Sequence, residues 1–102
     1  MKLVFLMYLE EDDKRIVKLL EEHHVVAWSR MSMEGHGSGM RGWYGEVAPY
    51  ASRLIFTVLR EDKARELLEA VRVCVDCEDP QHPIHAMMVA VEEMADSGTA
   101  GS

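Results

Sequence analysis

The sequence has few cysteines, few basic residues and no long apolar run, and each shortage argues against a class of protein. Its two cysteines, Cys74 and Cys77, do not make a disulfide scaffold. Eleven lysines and arginines against eighteen acidic residues give a net charge of −7, which argues against nucleic acid or an anionic membrane as partner. No stretch approaches the roughly 20 apolar residues that span a bilayer.

The start of the chain also lacks the features of a signal peptide. Residues 1–9 are mostly apolar, but the acidic cluster at 10–13 follows directly and no small-residue cleavage site is present. The segment is therefore predicted to form a buried strand, and the cytoplasm is the predicted compartment.

What is present suits one folded domain, since 48% of the 102 residues are apolar. We predict a single domain over residues 1–95 and a disordered tail of mostly small residues over 96–102. The negative charge is uneven, with −3 on residues 10–24, −6 on residues 73–102 and +1 on residues 25–72. An anion-binding site is therefore expected in the middle of the chain.

Hydrophobic periodicity predicts the order strand, helix, strand, loop, strand, helix, strand. The predicted strands cover residues 3–9, 25–33, 53–59 and 84–91, and the helices begin with acidic caps at Asp12 or Asp13 and at Glu61 or Asp62. Shifting the sequence by 51 residues lays Leu3-Val4-Phe5 on Leu54-Ile55-Phe56. Such a repeat predicts an α+β ferredoxin-like βαββαβ sandwich, a four-stranded antiparallel sheet with two helices on one face.

The helix-free face of this sheet is predicted to be apolar. Its candidate residues are Trp28, Met31, Met33, Met87 and Met88. A naked apolar sheet face is usually covered, most simply by other copies of the chain, so we expect an oligomer.

A Gly-rich loop over residues 34–50 is the main candidate for a binding site. Five glycines fall within residues 34–45, and the run Gly35-His36-Gly37-Ser38-Gly39 can present backbone N–H groups to an anion. Arg41 would add a charge-assisted contact. The alternative is a hairpin tip that binds nothing. Since no helix follows directly and no Gly-Lys-Ser/Thr is present, the run is neither a Rossmann nor a P-loop motif.

Aromatic residues in or beside this loop have two interpretations. Trp43, Tyr44 and Tyr50 can stack on a base or on a partner protein, or they can fold back over the sheet as anchors.

Redox, metal and catalytic chemistry have weaker signals. Cys74 and Cys77 have redox spacing, but they follow a predicted helix C-terminus, where the helix dipole disfavours a thiolate. We favour two cysteines without a function, with a regulatory disulfide as the alternative. Copper or zinc could bind His36, His82 and His85. No serine has a nucleophile context, so an enzyme is not expected.

The layout resembles that of nitrogen-regulatory PII signalling proteins and their relatives known as CutA. Gly35-His36-Gly37 is similar to the Gly-aromatic-Gly that opens the PII T-loop, and Tyr44 follows within the loop. The resemblance covers residues 1–92 and implies a homotrimer with adenine nucleotides in three clefts between subunits. The loop would report the bound ligand to a regulated partner protein.

Two departures mark a divergent PII-like protein. Ser38-Gly39 replaces the Arg-Gln of the family, and the acidic turn 77–83 replaces its Thr-Gly-Lys loop. The resemblance implies that Trp43 and Tyr44 face the partner and that a small anion contacts the loop residues Gly35, His36, Gly37, Ser38, Gly39 and Arg41. The alternatives are a CutA-like copper or zinc protein that uses His36, His82 and His85, and a small-molecule enzyme.

Overall fold

The computed structural model describes residues 1–36, 50–74 and 83–98. The elements follow the predicted order: strand β1 (Lys2–Leu9), a 3-10 turn (Glu10–Asp12), helix α1 (Asp13–Glu22), strands β2 (Ser29–Gly35) and β3 (Tyr50–Leu59), helix α2 (Glu61–Arg72) and strand β4 (His85–Ala90). Strands β2 and β3 extend into the predicted loop, to Gly35 and from Tyr50. The predicted Gly-rich loop is therefore shorter than residues 34–50.

The four strands form one antiparallel sheet in the order β2-β3-β1-β4. On β1, alternate residues face the helices, because successive side chains of a strand point to opposite faces. Val4, Leu6 and Tyr8 are fully buried on that face together with α1 and α2 residues; the buried core comprises Val4, Leu6, Tyr8, Ile16, Leu20, Val25, Ile55, Ala64 and Leu67. Both helices thus cover one face, and the predicted ferredoxin-like α+β fold is confirmed.

Helix α1 ends in a left-handed residue. His24 has φ of 57°, and the next residue, Val25, donates its N–H to Leu20 O at 2.9 Å. A residue in this conformation closes a helix and redirects the chain, a position that glycine usually occupies. The chain thereby turns from α1 toward the edge of the sheet.

Residues 25–28 do not belong to β2, although the sequence predicts a strand from residue 25. Val25 is buried and Val26 is 92% exposed. Thr57 Oγ1 donates a 2.6 Å hydrogen bond to Ala27 O, so a side chain satisfies that carbonyl. The ladder with β3 begins only at Ser29.

Two of the five residues predicted for the helix-free face lie on the other face. Met88 is opposite Val4 of β1, and both Met88 and Trp28 pack against the core beneath the helices. The sequence did not show which face of the sheet Met88 occupies, because only the pairing register fixes it, and it placed Trp28 within a strand although Trp28 precedes β2. By register and alternation, the helix-free face carries Leu3, Phe5, Met7, Met31, Met33, Leu54, Phe56, Val58, Met87 and Val89.

The acidic residues at the helix starts do not cap with their side chains. Asp12 occupies the N-cap position of α1, but its Oδ1 accepts from Arg15 Nη2 at 3.0 Å. Helix α2 opens at Glu61, as predicted, and Arg60 occupies its N-cap position without a side-chain cap hydrogen bond. None of the helices within the described ranges is long and apolar enough to cross a membrane.

Candidate functional site

The predicted site residues lie at one end of the sheet, which we call the loop end. Here β1 and β2 finish and β3 and β4 begin, at Leu9, Gly35, Tyr50 and His85. The register places Gly35 opposite Tyr50, so the two strands that carry the Gly-rich loop are paired up to its start. The connection from α2 to β4 returns to the sheet at the same end.

The structure describes two of the six residues predicted to bind the effector. Gly35 is the last residue of β2, and His36 follows it. The remaining predicted site residues lie outside the described residues: Gly37, Ser38, Gly39, Arg41, Trp43, Tyr44 and His82.

The side chain of His36 contacts a carboxylate of the strand that it follows, β2. Its Nε2 lies 2.6 Å from Oε2 of Glu34, within hydrogen-bond distance. Both side chains are exposed, His36 at 60% and Glu34 at 71%. The imidazole that the sequence assigned to an anionic effector therefore already contacts an anionic group.

A cluster of acidic and arginine side chains with one tyrosine, centred on Asp13, lies on the helix side of the loop end. Tyr8 donates its hydroxyl to Asp13 Oδ1 at 2.6 Å, and Arg30 Nη1 donates to Asp13 Oδ2 at 2.8 Å. Arg53 Nη2 donates to Glu10 Oε1 at 3.0 Å, and its Nη1 is 3.7 Å from Asp13 Oδ2. We call these five residues the Asp13 cluster.

Burial and charge act together in this cluster. Burial raises the pKa of Tyr8 well above its ordinary value, and the hydrogen bond to Asp13 raises it further, so the phenol stays a donor. The hydrogen bond to Glu10 raises the pKa of Arg53. The guanidinium of Arg30 also lies 5.7 Å from the centre of the Trp28 ring, within cation–π range. Both arginines are therefore engaged by contacts within the chain.

The Asp13 cluster was not predicted, although the sequence carries a signal for it. Arg53 is in phase with Ile55, a residue of the buried face, and Arg30 is opposite Ile55 on β2. A charged residue in phase with buried apolar ones needs a partner, since an unpaired charge is costly to bury. The alternation indicates that partners are needed but does not identify Asp13 and Glu10.

Two grooves run between α2 and the outer strand β4. The first has a volume of about 370 Å³, and its lining includes Arg72 of α2, Ile84 just before β4, and His85 at the start of β4. The second, of about 440 Å³, shares Leu68 and Arg72 with the first. Arg72 Nη1 donates to Glu69 Oε2 at 3.1 Å. The first groove is lined mostly by apolar side chains and the second mostly by charged ones.

Metal ligands do not converge within one copy of the described chain. His36 directly follows β2 and His85 begins β4, the two outer strands, and three strand spacings, about 14 Å, separate these strands across the sheet. The described ranges contain no group of three or more His, Cys, Asp or Glu side chains that could hold a metal ion.

Cys74 follows α2 and is bonded in a disulfide. The other cysteine of the sequence, Cys77, lies outside the described residues. The Cys74 thiol is therefore not free in this state. A regulatory role for the disulfide stays a prediction.

The sheet order and the two helices on one face are those of PII-like proteins of known structure, which share this fold. A PII-like signalling protein from Thermus thermophilus is 20% identical, with a TM-score of 0.62 over 85% of this chain and 82% of its own. CPII, a nitrogen regulatory PII-like protein from Thiomonas intermedia K12 bound to ADP, AMP and bicarbonate, is 16% identical, with a TM-score of 0.61 over 92% and 94%.

Sequence comparisons add no nearer relative, because no family model and no curated protein sequence matches the chain. The resemblance to PII-like proteins that the sequence indicated is confirmed by the structures, at the level of the fold.

Proposed function

We propose that the protein is a PII-like regulator that binds a small anionic effector between subunits and acts on a partner protein through its Gly-rich loop. The observation that carries this proposal is the fold shared with PII-like proteins, in which a glycine-rich sequence connects β2 to β3. A structural neighbour with this fold is bound to ADP, AMP and bicarbonate. An adenine nucleotide is accordingly the first effector to test.

The helix-free face of the sheet supports assembly into an oligomer. It is apolar across all four strands, and two of its methionines are well exposed, Met31 at 46% and Met87 at 40%. Burial of apolar surface stabilises by about 25 cal/mol per Å², so leaving a continuous apolar face in water is costly. Other copies of the same chain are the simplest cover, and a trimer is the assembly we propose.

The edges of the sheet support the same assembly. The outer strands β2 and β4 contain neither proline nor lysine, the residues with which natural edge strands avoid pairing. The two strands run in opposite directions, so β2 of one copy can pair with β4 of the next in antiparallel fashion. Such pairing would bring Gly35 and His36 of one copy to the first groove of its neighbour, the one lined by Arg72 and His85.

The effector would lie in this cleft between copies. Gly35, His36, Gly37, Ser38, Gly39 and Arg41 would bind it, the glycines through backbone N–H groups and Arg41 through its guanidinium. Trp43 and Tyr44 would face the regulated partner, and a cytoplasmic location is part of the same proposal.

Isothermal titration with ADP and AMP tests this proposal directly. We expect Arg41→Ala to weaken binding about tenfold, the loss of one charge-assisted hydrogen bond. His24→Ala is the matched control for His36→Ala, because His24 is exposed at the far end of α1. Unchanged affinities in Arg41→Ala and in His36→Ala would contradict the assignment of these two residues to the effector site.

A CutA-like metal protein is the second candidate, and the positions of two histidines favour it. His36 and His85 lie at the same end of the sheet on opposite edges, so the proposed edge pairing would place His36 of one copy beside His85 of the next. Copper and zinc both accept imidazole ligands. A melting temperature that rises with copper or zinc and with no nucleotide would favour this candidate over the first.

A further inference from the structure

We propose that Glu34 sets the charge selectivity of the effector site, by occupying His36 and adding a negative charge beside it. This inference rests on the proposed function, because it concerns the same site. Glu34 therefore favours effectors of low negative charge over highly charged ones.

The first step is the contact itself. Glu34 Oε2 lies 2.6 Å from His36 Nε2, so the carboxylate occupies the ring nitrogen that an anion would otherwise take. Both groups are exposed, and exposed ion pairs are worth little. An effector can displace the carboxylate from the imidazole at small cost, but the charge of Glu34 remains next to the bound ligand.

The second step concerns the cations of the strands that flank the loop, since Arg41 is assigned to the effector itself in the proposed function. Arg30 and Arg53 are the arginines of β2 and β3, and both side chains are engaged by acids of the Asp13 cluster. Their charges are already balanced at the loop end. Among the described residues that flank the loop, Glu34 is thus paired with the imidazole of His36 alone.

The third step is the dependence on ligand charge. The repulsion between Glu34 and a ligand increases in proportion to the ligand's charge. Two unit charges about 4 Å apart in bulk water repel enough to weaken binding roughly fivefold, which we take as the effect of each additional ligand charge. Bicarbonate, AMP and ADP carry about one, two and three negative charges at neutral pH, since the second phosphate pKa is about 6.

Glu34→Gln is the test, because glutamine keeps the shape and a hydrogen-bonding oxygen while removing the charge. We expect the affinity in magnesium-free buffer to rise roughly fivefold for bicarbonate, with a larger rise for AMP and the largest for ADP. Added salt should reduce these differences. Glu22→Gln is the control, because it removes the same charge from an exposed ion pair at the other end of α1.

Each outcome decides the proposal. A gain in affinity that grows with ligand charge, in Glu34→Gln and not in Glu22→Gln, supports it. If the affinities of Glu34→Gln equal those of the wild type, or rise equally for all three ligands, this inference is wrong. The proposed function stays intact in that case, provided that the wild-type protein binds. If neither the wild type nor Glu34→Gln binds any of the three, both proposals are wrong.

Discussion

At the scale of single residues, Asp13 has the most consequential contacts at the loop end. It accepts from Tyr8, which is fully buried, and from Arg30, which belongs to β2. We expect Asp13→Ala to lower the free energy of unfolding by about 2–3 kcal/mol, because it leaves a buried hydroxyl without its acceptor and two guanidinium groups without a shared partner.

Urea denaturation with a matched variant measures this effect. Glu22→Ala removes an acid from an exposed pair with Lys18 and should change the free energy of unfolding by less than about 0.5 kcal/mol. Equal effects of the two substitutions would contradict a structural role for the Asp13 cluster.

His24 is the second residue with a specific expectation. Its φ of 57° lies in the left-handed region, where a side chain with a Cβ is disfavoured and glycine is not. We expect His24→Gly to raise the free energy of unfolding by about 1 kcal/mol. His24→Ala keeps the Cβ and should bring no such gain, so a thermal denaturation series in which both variants behave alike would count against this explanation.

Single residues also mark the limit of what the sequence predicts. The apolar run of residues 3–9 predicted a buried strand, and Val4 and Leu6 are buried, but a continuous run does not show which alternate residues face the helices. The partners of Arg53 and Arg30 could not be identified, because Glu10 and Asp13 are distant from them in sequence and only the register brings them together. The position of Met88 on the helix side has the same cause, whereas Trp28 precedes β2 and lies outside the ladder.

At the scale of elements, α2 contributes stability that depends on pH. Hydrogen bonds from His23 and from Lys63 lower the pKa of Glu66 below its ordinary value of 4.5. A carboxylate with a lowered pKa in the folded state stabilises above its unfolded pKa, and this contribution disappears as pH falls through the folded pKa. Glu66 should therefore stabilise the protein at neutral pH and cease to do so in acid.

Melting temperatures of the wild type and Glu66→Gln between pH 7 and pH 3 measure this contribution. The wild type should be the more stable protein at pH 7, and the difference should shrink below about pH 4.5. A difference that stays constant over this range would show that the charge of Glu66 is not responsible.

The elements themselves were largely predictable, and their ends only in part. The order of strands and helices follows from the periodicity and from the repeat at 51 residues. The helices begin at Asp13 and Glu61, as predicted, but β2 starts four residues later than the sequence indicated. The hydroxyl of Thr57 satisfies a backbone carbonyl that the sequence assigned to a strand, and the salt bridge with Arg15 engages the Asp12 carboxylate that the sequence assigned to a cap.

At the scale of the whole molecule, the helix-free face should control assembly. Met31 and Met87 lie on this face and are exposed in the single chain, so a charge there should be tolerated by the monomer and not by the interface. We expect the double variant Met31→Glu and Met87→Glu to be monomeric by sedimentation velocity.

Val26→Glu is the control for that variant, since Val26 is 92% exposed and lies outside the sheet. It should sediment as the wild type does. A double variant that keeps the wild-type sedimentation coefficient would mean that copies do not meet through this face.

The central claim is that copies of the chain assemble around clefts that bind an anionic effector. Native mass spectrometry with ADP tests both parts at once, because it counts subunits and ligands in the same ion. We expect a trimer that takes up as many as three nucleotides. A monomer or dimer, or a trimer that takes up no nucleotide at any concentration, would contradict it.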